Sequence, residues 1–92
     1  MKEHGIREAL DKRVKAYGGE TRAVSWLGRK NAPDVLVLMP ASIAWHTFVE
    51  TKRPGKRATA AQAREHERMR DAGCNVLVIT TIAELDAWMP PL

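Results

Sequence analysis

Residues 31–52 read NAPDVLVLMPASIAWHTFVETK, an apolar passage with Pro33-Asp34 at its entry and Glu50-Thr51-Lys52 at its exit. Val35 to Met39 is a continuous apolar run, Pro40-Ala41-Ser42 supplies a turn, and Trp45 to Thr51 returns as a second, antiparallel strand. Such a hairpin brings Asp34 back beside Glu50. Strand side chains alternate faces, so Phe48, Glu50 and Lys52 share one face while Thr47, Val49 and Thr51 share the other.

Two carboxylates converging at the end of a buried hairpin repel each other unless a cation sits between them. A divalent metal with a lysine close by removes that repulsion. The constellation suits hydrolysis of a phosphodiester. The ion polarises the phosphate and lowers the pKa of water, while Lys52 orients that water or balances charge developing on the phosphoryl group.

Pro33-Asp34, fifteen intervening residues, Glu50-Thr51-Lys52, then Arg53-Pro54-Gly55 and a downstream Gln62 resemble the PD-(D/E)xK nuclease superfamily, and within it the stand-alone VRR-Nuc domains. The resemblance covers nearly the whole chain, from Glu3 through Tyr17-Gly18-Gly19 and the acid-lysine hairpin to Ala72-Gly73 and Val76-Leu77-Val78-Ile79. It implies a metal-dependent deoxyribonuclease in which Asp34 and Glu50 bind Mg²⁺ or Mn²⁺. It further implies a third acid from the early helical Glu3, a metal contact from the carbonyl of Thr51, catalysis by Lys52, and Gln62 holding the water or the phosphate. Where the family usually has Gly-x-Pro-Asp, this chain has Asn31-Ala32-Pro33-Asp34. Asn is the next most tolerant residue of a left-handed backbone, so the same turn is expected.

Ninety-two residues make one domain, 1–92, in which roughly 60–65% of the unfolded surface can be buried. A formal charge of +4 and a sequence pI near 9.6 favour a polyanionic partner. The single Cys74 excludes an internal disulfide framework and a Cys-rich zinc site, and fits a reducing cytoplasm. Nothing at the start reads as a signal peptide, and no apolar run approaches the roughly 20 residues that cross a bilayer. The expected location is the cytoplasm, the host's if the chain is phage-encoded.

In chain order, Lys2 to Tyr17 is expected to form an amphipathic helix with Ile6, Leu10, Val14 and Tyr17 on one stripe, stopped by Gly18-Gly19. Glu3 shares that inward stripe, whereas Glu8 lies about 200° round the helix from Ile6. Thr21 to Trp26 reads as a first strand, and Leu27 to Ala32 as a basic loop setting Arg29 and Lys30 just before Asp34, where a phosphate approaches. His46 shares a face with Glu50, but four residues span about 13 Å. Neither it nor His4 nor His66 has zinc spacing, and no histidine is assigned to a metal. Arg53, Lys56 and Arg57 around Pro54-Gly55 form a turn that presents cations to a DNA backbone.

A second helix runs from Thr59 to about Ala72, opened by the capping box Thr59-Ala60-Ala61-Gln62, whose local role for Gln62 competes with the catalytic one. Gln62, His66 and Met69 fall on one stripe. Arg64, Arg68 and Arg70 alternate with Glu65, Glu67 and Asp71, the mark of a solvated face with intrahelical pairs. Gly73 ends this helix. Val76 to Ile79 then reads as a buried strand parallel to the Glu50 strand, and Thr80 or Thr81 caps a last helix carrying Ile82, Leu85 and Trp88. The order α-β-β-β-α-β-α describes an α/β fold, a restriction-endonuclease-like mixed sheet flanked by helices.

The expected function is therefore metal-dependent DNA endonuclease, with four-way junctions the expected substrate. The alternatives are a flap or single-strand-junction nuclease, a non-catalytic basic DNA-binding module, and a protein-interaction domain on a degenerate nuclease fold. A purely structural hairpin has no need of so costly a charge cluster, which speaks against degeneracy. Symmetric cutting of two strands calls for two sites. Trp26, Trp45 and Trp88 exceed what so thin a core needs, and a homodimer is the expected assembly.

Overall fold

A computed structural model describes residues 3–40 and 46–92, with side chains described from Gly5 onward. The turn expected at Ala41-Ser42, the strand position of Trp45, the helical start at Lys2 and the side chains of Glu3 and His4 lie outside the described residues. The elements are α1 (Glu3–Ala16), β1 (Glu20–Ala23), β2 (Val35–Leu38), β3 (Thr47–Thr51), α2 (Ala60–Asp71), β4 (Asn75–Ile79) and α3 (Ile82–Trp88), in the expected order. They build a mixed four-stranded sheet, β1-β2-β3-β4. The first three strands are antiparallel, and β4 runs parallel to β3 after the α2 crossover. Among the described residues no helix is long and apolar enough to cross a membrane.

Register and pleat divide the sheet into two unlike faces. Val35 pairs with Val49, and Val49 with Leu77, so these side chains lie on one face with Val37 and Ile79. That face meets Ile6, Leu10 and Val14 of α1 and Leu85 of α3 in the apolar core. Each such side chain contributes about 1.5–3 kcal/mol on burial. The other face carries Leu36, Phe48, Glu50, Val76 and Val78, and α2 covers it through His66, which approaches Glu50. The α1–β1 turn sits hard against β2: a Cβ on Gly19 would lie 2.5 Å from the Leu38 carbonyl oxygen and 2.6 Å from Met39 Sδ, so only glycine fits. Arg13 ties α1 to α3 by pairing with Asp86 Oδ1 at 2.8 Å and donating to the Met89 carbonyl at 2.6 Å.

The first strand is shorter than expected, and Trp26 is not in it. Val24 N–H donates to the Asp34 carbonyl at 2.9 Å, one residue past the end of β1. The chain turns away there. Trp26 packs on Phe48 with ring centroids 5.4 Å apart and donates its indole N–H to the Pro33 carbonyl at 2.7 Å. Trp88 is half-buried against the core. Two of the three tryptophans thus have internal partners.

Candidate functional site

The two acids meet through backbone pairing. Extending the Val35–Val49 register by one residue sets Asp34 opposite Glu50, on the face that also holds Lys52 two residues on. Both flanks are pinned by hydrogen bonds: Val24 N–H to the Asp34 carbonyl at 2.9 Å, and Lys52 N–H to the Ile79 carbonyl at 3.0 Å. Glu50 is only 5% exposed and Thr51 is buried, whereas Lys52 is half-buried and Asp34 faces solvent. The turn leading into Asp34 takes the form expected of it, with Asn31 at φ 67.

The α2 side of this cluster is polar where a solvated helix face was expected. Glu65 and His66 are both buried, together with Met69. His66 is 1% exposed and its Nε2 lies 3.7 Å from Glu50 Oε1. Among the described residues that nitrogen has no hydrogen-bond partner. Burial, then the nearby Arg70 and Lys52 charges, hold the imidazole below its ordinary pKa. The one legible signal for His66 was its place on the stripe with Gln62 and Met69.

Arg29 is committed to the fold. Its Nε and Nη2 grip Glu65 Oε2 and Oε1 at 3.0 and 2.8 Å, a bidentate pair that fastens the β1–β2 loop to α2. That hydrogen bond is the main reason the Glu65 carboxyl is held below its usual range. A cavity of about 290 Å³ opens beside it, lined by Lys30, Asn31, Arg64 and Arg68. Lys30 is exposed, and Arg64 and Arg68, read above as part of a solvated face, join it at this cavity. Across the site, Arg53, Lys56 and Arg57 are exposed around Gly55, whose φ of 86 makes the turn. Lys56 and Arg57 border a cavity of about 520 Å³ with Val78, Thr80 and Glu84.

Gln62 occupies the helix cap. Its Oε1 accepts the Thr59 N–H at 2.9 Å while Thr59 Oγ1 accepts the Gln62 N–H at 3.1 Å. His46, exposed, accepts the Met39 N–H at Nδ1. Position 3 opens α1, whose fully buried Ile6, Leu10 and Val14 match the expected stripe, and Glu8 is exposed.

Among the described residues no group of three or more His, Cys, Asp or Glu is arranged to hold a metal. Two carboxylates with a neighbouring backbone carbonyl still make an all-oxygen donor set. It suits Mg²⁺, which is commonly held by one or two carboxylates while keeping several waters.

No family model matches the sequence. A solved VRR_NUC domain superimposes with a TM-score of 0.80 at 35% identity, covering 95% of this chain and 94% of that one. The "Putative nuclease p44" of Acyrthosiphon pisum secondary endosymbiont phage 1 is 35% identical over 90 residues, 98% of this chain and 94% of that protein. The chain belongs to the VRR-Nuc family. As a VRR-Nuc protein it carries Pro33-Asp34 just before β2 and Glu50-Thr51-Lys52 at the end of β3, the strand paired with β2. The VRR-Nuc fold sets one acid at the entry to β2 and the other in β3, and takes its covering polar helix from the β3–β4 crossover.

Proposed function

We propose that this protein is a Mg²⁺- or Mn²⁺-dependent DNA endonuclease that acts on branched DNA, four-way junctions first. The observation that carries this is the β2–β3 register, which, continued one residue past Val35–Val49, sets Asp34 opposite Glu50 at one sheet end with Lys52 on the same face. Asp34 and Glu50, joined by Glu3 and the Thr51 carbonyl, would hold the ion. When bound, the ion polarises the scissile phosphate and acidifies water. Lys52 balances the charge that builds on the phosphoryl oxygens and orients the attacking water. With its Oε1 engaged by the cap, Gln62 has Nε2 to offer a phosphate oxygen. The backbone track runs from Lys30, Arg64 and Arg68 on one side to Arg53, Lys56 and Arg57 on the other. Arg29 contributes by holding the loop through Glu65.

Incubation with single-stranded, duplex, flap and four-way-junction DNAs, with and without Mg²⁺ or Mn²⁺, tests this directly. Metal-dependent cuts on junctions are expected; retention of DNA without cleavage in either metal would leave a binding module instead. Cleavage of flaps with junctions intact would shift the substrate and keep the chemistry. A homodimer follows from the need for two symmetric cuts. With Trp26 and Trp88 packed internally, that need and the small size of the chain are its main support. Light scattering at micromolar concentration is expected to give twice the chain mass, and a strict monomer would remove the paired-cut mechanism.

A further inference from the structure

We infer that His66 is a positioning residue for Glu50, presenting Nε2–H to Oε1 and fixing the orientation of the carboxylate toward Asp34. Its catalytic consequence rests on the nuclease function proposed above; the contact itself does not. The ring is 1% exposed and Nε2 stands 3.7 Å from Glu50 Oε1. Among the described residues Nε2 has no hydrogen-bond partner. A buried polar atom left this way is costly, and native proteins seldom keep one without a role. The stripe on which it sits supplies Met69, so an apolar side chain at position 66 would have completed an ordinary helix face.

Of the two ring nitrogens Nε2 is the one that faces the carboxylate, and a nitrogen facing a carboxylate carries its proton. At 3.7 Å the pair is just beyond hydrogen-bond length, and a small rotation of the Glu50 carboxylate closes it. Carboxylates that hold metals are themselves held by hydrogen bonds, and losing such a partner typically costs about 10- to 100-fold in metal affinity.

Three measurements test this. The ¹⁵N shifts of the wild-type ring should report the Nε2–H tautomer and should move on Glu50→Gln; the Nδ1–H tautomer, or indifference to that substitution, overturns the inference. Mn²⁺ titration should show affinity lowered by about 10- to 100-fold in His66→Ala and His66→Asn. It should be largely restored in His66→Gln, whose amide reaches the Nε2 position while that of Asn does not. Wild-type affinity in His66→Ala overturns it too. In cleavage assays kcat should fall with KM for DNA unchanged, whereas a packing defect would lower thermal stability equally in the Gln and Asn variants. A wild-type protein that neither binds Mn²⁺ nor cuts DNA would refute the nuclease function, and the tautomer result would then decide the contact alone.

Discussion

Helices α1 and α2 cover opposite faces of one sheet and bury opposite kinds of side chain. α1 gives the sheet Ile6, Leu10 and Val14, all fully buried. α2 gives it Glu65, His66 and Met69. The first face is held by apolar burial, which neither pH nor salt changes much. The second is fastened by a guanidinium–carboxylate fork from Arg29 to Glu65, and its His66 approaches Glu50. The lesson is a division of labour: stability resides on the α1 face, and the α2 face has given up hydrophobic area to surround a charged centre.

The sharpest way to break this division is at the strand end. Glu50→Ala and Lys52→Ala are each expected to lower cleavage by at least ~10²–10³-fold while circular dichroism remains native. Titrated Mn²⁺ affinity should weaken in the first and stay similar or tighten in the second, because a nearby positive charge has gone. Wild-type rates in either variant would remove that residue from the catalytic centre.

On the other face, Leu10→Ala should cost about 2–5 kcal/mol of stability. At roughly 4–8 °C per kcal/mol for a domain this size, that is a large drop in Tm. Below that temperature its Mn²⁺ affinity should match wild type. A change in metal affinity would mean that the two faces are coupled rather than separate.

Position 3 tests whether α1 also reaches the charged side. Glu3→Gln is expected to lower activity roughly tenfold or more, and Glu8→Gln to leave it unchanged. If the ranking came out reversed in a cleavage assay, the helix would be meeting the sheet by a different stripe.

The smallest effect expected is on pH dependence. The Glu65 carboxyl is held low by Arg29, so its contribution to stability is present above the unfolded carboxyl pKa and lost as pH falls through the depressed folded value. Arg29→Ala should therefore be less stable than wild type at neutral pH, with the gap narrowing in acid. A gap independent of pH, measured by denaturant titration, would show that the loop is held by packing instead.

What the sequence determined by itself was everything governed by short range. Apolar runs and turns set the α-β-β-β-α-β-α order. The hairpin's period of two put Asp34 across from Glu50, Asn31 signalled a left-handed turn, and Thr59 with Gln62 announced a cap. Tertiary structure alone decided that Glu65 of α2 turns inward beside the His66-Met69 stripe. That helix has only Met69 as a large apolar residue, so its periodicity is too weak to point to a face, and Glu65 reads as solvated until Arg29 is brought to it from 36 positions away. The end of β1 was settled in the same way. Trp26 continues an apolar pattern in sequence, but its ring packs on Phe48 and its indole N–H is taken by the Pro33 carbonyl, partners that no strand pattern announces.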